Sequence, residues 1–366
     1  MADMILITGG AGFIGSHLAD ELLAAGYRVR ALDALHPQVH ADGPPDYLDP
    51  DVELVVGDVR DADAVRGALD GVDAVFHFAA RVGVGQSMYE QAEYQSVNAY
   101  GTGVLLEGLL EHPVERLIVA SSMSVYGEGL YLDEDGRPVE PAPRRFEGGE
   151  WDPRAADGRE LRPAPTPETK RPALSSIYAL GKYDQERMCL IHGEAYDVPT
   201  VALRFFNAYG PRQALSNPYT GVLAIFASRL LNGSAPRVYE DGLQRRDFVS
   251  VKDVARACRL ALETADAPGE VVNVGSGRSV TVLEIADELR RALDSDIDPE
   301  VTQQTRAGDI RHCFADVAKA RRVLGFEARV ALEDGVAELA EWLEGRVADD
   351  RSEEAAKALA ARGLAR

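Results

Sequence analysis

The chain has 366 residues, a length that allows one large domain or a large domain with a smaller lobe. Its formal net charge of −21 argues against binding to nucleic acid or to an anionic membrane, and we interpret the acidity as a device for solubility or for a high-salt habitat. The three scattered cysteines favour a reducing cytoplasm over a disulfide framework, and no cluster has zinc-ligand spacing, so we expect no metal site.

The N-terminal segment predicts a dinucleotide-binding unit. Residues 4–8 (MILIT) form a short apolar strand, and residues 9–15 (GGAGFIG) follow as a glycine-rich turn. Apolar residues then recur at helical spacing up to Gly26, and residues 27–33 (YRVRALD) form a second strand. Glycines in such a turn let backbone N–H groups approach a pyrophosphate at the positive N-terminus of the helix.

The acid at the end of the second strand predicts which dinucleotide is bound. Asp33 lies about 20 residues beyond the glycine turn, where a carboxylate can accept hydrogen bonds from both ribose hydroxyls. The same carboxylate repels a 2′-phosphate, and the neighbouring Ala34 and Leu35 offer no cation to hold one. The sequence therefore favours NAD over NADP.

Strands and helices continue to alternate as far as residue 122. This order predicts a doubly wound parallel sheet, and no apolar run approaches the roughly 20 residues that span a bilayer. Asp58 ends one strand and is expected to meet the adenine, whereas His77 has apolar neighbours and is interpreted as a buried packing residue. The predicted strands are 52–58, 73–80 and 116–122, and the predicted helices are about 61–69 and 93–111.

Two groups of polar residues are candidates for chemistry. Ser122 and Ser124 follow a strand of the sheet, and the carboxyl ends of such strands border the ligand crevice. Tyr178 and Lys182 are four positions apart, so they share one helix face, and a nearby ammonium favours the phenolate form of a tyrosine. That spacing alone is also typical of an ordinary helix face.

Nine motifs extend the pattern over about residues 4–344. Together they resemble the extended short-chain dehydrogenase/reductase family, which contains the nucleotide-sugar epimerases and dehydratases. The resemblance implies a Rossmann-type doubly wound parallel sheet with a smaller C-terminal α/β substrate-binding lobe. The motifs are TGGAGFIG (8–15), HFAA (77–80), VNAYGT (97–102), SSMSVYG (121–127), YALGK (178–182), RFFNAYGPR (204–212), DGLQRRDFVSVKDVARA (241–257), NVGSG (273–277) and RAGDIRHCFAD (306–316).

The resemblance also implies roles for individual residues. Tyr178 corresponds to the catalytic base, and Lys182 to the lysine that lowers its pKa and binds the nicotinamide ribose. Ser122 and Ser124 correspond to hydrogen-bonding partners of the reacting sugar hydroxyl. The implied cofactor contacts are Gly9, Gly12, Phe13, Ile14, Gly15, Asp33, Asp58, Val59, Ala79, Ala80, Asn98, Tyr178 and Lys182. The implied nucleotide-sugar contacts are Asn207 to a phosphate, Arg246 and Arg306 to the diphosphate, and Asp309 to the nucleotide ribose.

The reaction is predicted partly by what the chain lacks. A 4,6-dehydratase of this family needs an Asp–Glu pair where this chain has Met123 and Ser124, and decarboxylating relatives tend to carry an acid at position 124. We therefore expect NAD-dependent 4-epimerisation through a transient 4-keto sugar. Residues 204–233 and the long insertion at 131–172 resemble dTDP-L-rhamnose 4-epimerase-type proteins. UDP-hexose or UDP-glucuronate epimerases, a dehydrogenase or reductase, and a non-catalytic NAD-binding scaffold remain open.

Three further expectations concern a long insertion, the oligomeric state and the division of the chain into units. The segment 131–172 is longer than in ordinary relatives, and we expect a flap near the sugar, anchored by Trp151. Relatives imply a homodimer packed through the helices at about 93–111 and 178–195. The chain is predicted to divide into three units. Residues 1–206 form a Rossmann domain with an irregular insertion at 129–175, and residues 207–345 form a nucleotide-sugar-binding lobe from which the chain can cross back to the Rossmann domain. Residues 346–366 form a tail, a frayed helix or a disordered segment, to which we assign no chemistry.

Overall fold

The computed structural model describes residues 3–40, 43–144, 150–214, 221–306, 308–344 and 352–365. Their strands are β1 (Met4–Thr8), β2 (Arg28–Asp33), β3 (Glu53–Val56), β4 (Ala74–His77), β5 (Arg116–Ser122), β6 (Leu130–Leu132), β7 (Arg162–Ala164), β8 (Thr200–Phe205), β9 (Asn207–Tyr209), β10 (Arg237–Val238), β11 (Arg245–Arg246), β12 (Phe248–Ser250), β13 (Val271–Val274), β14 (Val280–Thr281), β15 (Glu300–Val301) and β16 (His312–Cys313). Their helices are α1 (Phe13–Ala24), α2 (Ala62–Leu69), α3 (Val84–Ser87), α4 (Gln91–Gln95), α5 (Gly101–Glu111), α6 (Ile177–Tyr196), α7 (Val222–Leu231), α8 (Val251–Glu263), α9 (Val282–Ala292), α10 (Ala318–Leu324), α11 (Leu332–Leu343) and α12 (Ser352–Ala360).

A seven-stranded parallel sheet forms the centre of the molecule, in the order β13-β8-β5-β4-β1-β2-β3. Apolar side chains cover both faces: one core includes residues of α1 and α8, and the other includes residues of α2, α5 and α6. A parallel sheet buried on both faces explains why its strands are continuous apolar runs. The predicted Rossmann-type fold is confirmed.

The helix predicted at 93–111 begins earlier, at Gln91, and contains a π-helical turn over Ser96–Tyr100. This turn carries Asn98, which is fully buried. The Asn98 side chain accepts a hydrogen bond from Arg81 N (2.7 Å) and donates one to Arg81 O (3.1 Å). The turn thus holds the loop that follows β4.

A third apolar core joins α7, α9 and α11 and forms a lobe beside the carboxyl edge of the large sheet. The three-stranded sheet β14-β11-β16 belongs to the same region. The chain returns to the large sheet after β12, because α8 packs on α1 and β13 pairs with β8. The division at residues 207 and 345 stays a prediction.

Ion pairs hold the long insertion against the lobe. Arg311, 1% exposed, contacts Asp152 (Nε–Oδ1 2.7 Å) and Glu240 (Nη1–Oε2 3.1 Å). Arg144 pairs with Glu240 (2.7 Å) and donates to the Asp309 carbonyl (2.8 Å). These contacts hold residues 309–312 in place.

The flap prediction for this insertion is not met in the described residues. Segments 131–144 and 150–172 line none of the cavities described below, and the remaining residues of the insertion, 145–149, lie outside the described part of the chain. The sequence could not reveal this, since the buried partner Arg311 is about 160 residues away. Among the described helices, none has both the length and the apolar character needed to cross a membrane.

Candidate active site

The glycine turn between β1 and α1 has a backbone that other residues would not fit. Gly9 has φ +73°, a conformation that residues with a Cβ seldom adopt. A Cβ on Gly15 would contact the Gly9 carbonyl oxygen and would lie 2.8 Å from Gly10 Cα. Helix α1 has no side-chain cap, so its first N–H groups are free of a capping side chain and suited to bind a phosphate.

A cavity of about 430 Å³ opens at this turn, along the carboxyl ends of β1, β2, β4, β5 and β8. Nearly all predicted cofactor residues line it. The exception is Asn98, which does not line the cavity. Its side chain binds the backbone of Arg81, and Arg81 is part of the lining. The predicted residues in the lining are Gly9, Gly12, Phe13, Ile14, Gly15, Asp33, Asp58, Val59, Ala79, Ala80, Tyr178 and Lys182, together with Ser122 and Asn207.

Asp33 is held in place at the far end of this cavity. Its Oδ2 accepts a hydrogen bond from Ala11 N (3.1 Å) and its Oδ1 one from Leu35 N (2.9 Å). Each carboxylate oxygen keeps a free lone pair, so two further hydroxyl donors can bind. A dinucleotide therefore fits the residues present: a glycine turn at a helix N-terminus for the pyrophosphate, and a fixed carboxylate for ribose hydroxyls.

Sequence reasoning missed two arginines and a histidine at the same end; burial lowers the pKa of the histidine, His36. His36, Arg60 and Arg81 all line the cavity. Arg60 binds both oxygens of Asp58 (Nε–Oδ1 3.0 Å, Nη2–Oδ2 2.7 Å), and these hydrogen bonds lower the pKa of Asp58. Asp58 therefore reaches the cavity as half of an ion pair. Arg60 follows the predicted residues Asp58 and Val59, and Arg81 follows Ala80, so their place beside these residues was a local signal that went unused.

A second cavity, of about 370 Å³, adjoins the first on the lobe side. The predicted substrate residues Ser124, Arg246, Arg306 and Asp309 line it. Six residues line both cavities and mark their junction: Ser122, Tyr178, Phe206, Asn207, Gly221 and Val222. A ligand in the second cavity can therefore meet a dinucleotide in the first at Ser122 and Tyr178.

The second cavity is cationic, although the whole protein is strongly acidic. Its described lining has four arginines and one carboxylate, and that carboxylate, Asp309, is paired with Arg306 (Nε–Oδ2 2.8 Å). Arg306 also stacks on the Tyr239 ring at 4.3 Å. Guanidinium groups of this kind suit phosphate oxygens. The other three arginines are Arg229, Arg237 and Arg246.

Three polar groups in the described lining of this cavity have no hydrogen-bond partner, and one of them, Arg237 Nε, lies 3.6 Å from Glu300 Oε2 in an ion pair. The Ser124 hydroxyl is buried and unpaired, and so is the amide oxygen of Gln244. Asn207 donates to Met123 Sδ (3.3 Å) and to the Asp247 carbonyl (3.0 Å). Buried polar atoms without a partner are rare in proteins and are suited to bind a ligand.

The hydrogen bonds around Tyr178 and Lys182 bear on the role predicted for the lysine, which stays a prediction. The motif predicts that Lys182 lowers the pKa of the phenol, but its ammonium donates to Gln185 Oε1 at 2.8 Å. Burial instead raises the pKa of Tyr178, and a hydrogen bond with the Ser122 side chain opposes that increase. Burial also lowers the pKa of Lys182 to about 8. The acceptor on Gln185 was missed, although it follows the lysine by three positions on α6.

The model of the NAD-dependent epimerase/dehydratase family matches residues 5–146 and 154–275 of this sequence. The chain belongs to this family. Membership of an NAD-dependent family confirms the prediction that the cofactor is NAD. The recognised resemblance to nucleotide-sugar epimerases and dehydratases is confirmed as well.

Relatives of this epimerase/dehydratase chain align over almost its whole length. A dTDP-L-rhamnose 4-epimerase from Burkholderia thailandensis is 35% identical over 347 residues, which are 93% of this chain and 94% of the relative. A dTDP-glucose 4,6-dehydratase from an Actinoplanes species is 30% identical over 92% of this chain and 97% of the relative. The crystal structure of UDP-glucose 4-epimerase from Thermus thermophilus in complex with NAD has a TM-score of 0.76, with 30% identity, and covers 94% of this chain and all (100%) of that one. These relatives are enzymes, which supports the prediction that this chain is one.

Within this family member, a buried polar network fixes the lysine of the site. Because an ammonium only donates, it orients the Gln185 amide oxygen toward Lys182, and the Gln185 Nε2 group donates to the Ala79 carbonyl (3.2 Å) and to Thr102 Oγ1 (3.1 Å). The Thr102 hydroxyl donates to the Asn98 carbonyl. His77 Nε2 therefore carries the ring proton and donates to Thr102 Oγ1 (2.8 Å), while His77 Nδ1 accepts from Thr8 Oγ1 (2.8 Å). His77, interpreted from sequence as a packing residue, thus links Lys182 to the end of β1.

Proposed function

We propose that the chain is an NAD-dependent nucleotide-sugar 4-epimerase that acts through a transient 4-keto sugar. The proposed substrate is a dTDP- or UDP-linked hexose or deoxyhexose such as dTDP-L-rhamnose. The observation that carries this proposal is the position of Tyr178 and Ser122, which line both the cavity at the glycine turn and the cationic cavity beside it. A sugar carbon held at that junction lies next to a base and next to the cofactor.

Tyr178 Oη is the proposed proton acceptor for the sugar C4 hydroxyl. The Ser122 hydroxyl, which hydrogen-bonds the phenol, would hold the substrate oxygen and the phenol oxygen in line. NAD, when bound, supplies the acceptor and later donor of hydride, together with a positive ring charge that favours the phenolate of Tyr178. Lys182, which lines the same cavity, would bind the adjoining ribose.

The lobe would hold the nucleotide end of the substrate. Arg246 and Arg306 are proposed to bind the diphosphate, Asn207 a phosphate oxygen and Asp309 the nucleotide ribose. Arg246 is held by the carbonyls of Ile310 (2.6 Å) and Arg311 (2.8 Å), so its guanidinium is oriented in advance. The unpaired hydroxyl of Ser124 is a proposed partner of a sugar hydroxyl.

The lining of the second cavity favours epimerisation over elimination. Removal of water across C5 and C6 needs an acid and a base beside C5 and C6, yet positions 123 and 124 are methionine and serine. Among the described lining residues, Asp309 is the one carboxylate, and it is engaged by Arg306. Hydroxyl groups and one phenol suffice for oxidation and reduction at a single carbon.

Other functions remain alternatives to be tested. A nucleotide-sugar dehydrogenase or reductase would use the same base, and a UDP-glucuronate 4-epimerase would differ only in the sugar. A non-catalytic NAD-binding scaffold is the alternative from another class, and the presence of both Tyr178 and Lys182 argues against it. We further propose a cytoplasmic homodimer packed through α6 and the helical segment that leads into α5, where Tyr100 and Ile191 are 62% and 56% exposed.

Incubation with a panel of dTDP- and UDP-sugars, without added NAD(H), tests the proposal. NMR should detect a C4 epimer with no net change in absorbance at 340 nm. Stoichiometric NADH would indicate a dehydrogenase, and no product across the panel would indicate the scaffold. Tyr178→Phe should abolish turnover while NAD stays bound, whereas Tyr196→Phe, on the exposed face of the same helix, should leave turnover unchanged.

A further inference from the structure

The C-terminal helix α12 lies against the substrate cavity, although the sequence of the tail carries no chemical motif. Ser352, Ala355, Ala356 and Leu359 line the cavity and recur at the spacing of one helix face. Ala355 and Leu359 are 8% and 6% exposed, so this face is packed, while Glu353, Glu354 and Lys357 are exposed to solvent. The helix is amphipathic, and its apolar side forms part of the cavity wall.

Contacts at three places fix the segment across the cavity. Arg229 of α7 donates to Ser352 Oγ (Nη1–Oγ 3.0 Å), and Ala365 forms a short antiparallel backbone bridge with Arg306. Beyond the helix, the Arg362 guanidinium stacks on the ring of Tyr89 at 4.4 Å. Arg229 and Arg306 belong to the lobe, whereas Tyr89 follows α3 beside the dinucleotide-binding half. The segment therefore spans the two sides of the cavity.

We propose that this segment is part of the substrate site and forms the apolar wall against which the pyrimidine base of the nucleotide sugar packs. The inference rests on the proposed function, since it takes the substrate to be a dTDP- or UDP-sugar. The bridge at Arg306 brings the segment next to an arginine proposed to bind the diphosphate. In one cavity, the charged part of the lining thus suits the phosphates and the apolar part suits a flat base.

An unpaired acceptor in the same cavity supports a base with an N–H group. Gln244 donates its Nε2 to the Tyr239 carbonyl (2.8 Å), which leaves its buried Oε1 without a partner. Thymine and uracil both carry an N3–H donor, and a buried acceptor discriminates strongly against ligands that leave it unpaired. The wall and the acceptor together predict selectivity for pyrimidine nucleotides over purine nucleotides.

A matched pair of full-length variants tests the wall. Leu359→Asp places a carboxylate in the cavity, and Ala361→Asp adds the same charge two residues later at an exposed position. Binding of UDP and dTDP to NAD-loaded protein is measured by calorimetry. We expect Leu359→Asp to weaken both by about tenfold or more, the factor that corresponds to roughly 1.4 kcal/mol, with NAD content and melting temperature equal to those of Ala361→Asp.

The outcomes separate this inference from the proposed function. Wild-type protein that binds neither UDP nor dTDP would overturn the proposed function. If the wild type binds them and both variants bind equally well, the tail is not part of the site. Tighter binding by Leu359→Asp would also overturn the inference, because the tail would then compete with the substrate.

Limited trypsin digestion of the wild type gives an independent readout that needs no variant. Cleavage after Lys357 and Arg362 should slow when UDP or dTDP is bound, because a base packed against α12 holds the helix in place. An equal rate with and without nucleotide would contradict the inference, and a faster rate would indicate displacement of the tail. ADP at the same concentration should give no protection.

Discussion

Lys182 is buried, and burial disfavours its charged form, so a substitution that removes the charge should change the stability of the protein. The side chain is 3% exposed, and burial lowers its pKa from an ordinary 10.5 to about 8. Its ammonium has a hydrogen bond to Gln185 Oε1 at 2.8 Å. We predict that Lys182→Met, which keeps the length of the side chain and removes the charge, changes the pH dependence of stability.

The size of the effect follows from the two pKa values. The unfolded chain keeps the proton up to about pH 10.5, whereas the folded protein releases it near pH 8, so wild-type stability rises between these values. A difference of 2.5 pH units at 1.36 kcal/mol each corresponds to about 3 kcal/mol. The variant lacks this rise. It also leaves Gln185 Oε1 without its donor, which costs about 1–3 kcal/mol at every pH.

The assay is urea unfolding of wild type and Lys182→Met at intervals from pH 7 to pH 11, on protein freed of dinucleotide. The quantity compared is the difference between the two free energies of unfolding, because other titrating groups cancel in it. Between pH 8 and pH 10.5, the free energy of unfolding of the wild type should rise by about 3 kcal/mol relative to that of the variant, and the difference should stay constant below pH 8. Parallel curves throughout would refute the reasoning that Lys182 is a charge made unfavourable by burial.

Three further predictions concern the lysine acceptor, the glycine turn and the proposed dimer. Gln185→Leu removes a hydrogen bond to a charged group, which is worth about 1.5–3 kcal/mol, so kcat/KM should fall about 10- to 100-fold. The control Gln91→Leu, at an exposed position, should leave kcat/KM unchanged, and equal kcat/KM values for the two variants would contradict a role of the network. Gly15→Ala places a Cβ against the Gly9 carbonyl, and should weaken NAD binding at least about tenfold by fluorescence titration, while unchanged binding would exclude this turn as the pyrophosphate site. Ile191→Asp should give a monomer in light scattering and Leu243→Asp, equally apolar and 50% exposed on the lobe, should not; a wild-type monomer would remove the dimer proposal.

The sequence alone determined the features that depend on neighbours along the chain. The glycine turn, the acid at the end of β2 and the alternation of apolar strands with helices are local patterns, and each matches the structure at the predicted place. The residues that the motifs predict for the cofactor, apart from Asn98, line one cavity, because strands of a parallel sheet all end at the same edge. Residues that are far apart in the sequence can therefore be placed at one edge of the sheet.

Only the tertiary structure decided which groups face one another across distant segments. Gln185 rather than Tyr178 accepts the hydrogen bond of the Lys182 ammonium, and the tail lines the cationic cavity. Asp152 of the insertion binds Arg311, and the described segments 131–144 and 150–172 line neither cavity. Each of these contacts depends on side-chain direction or on the packing of segments far apart in the chain. Periodicity and spacing carry no information about such contacts, since electrostatics and burial act through space and not along the sequence.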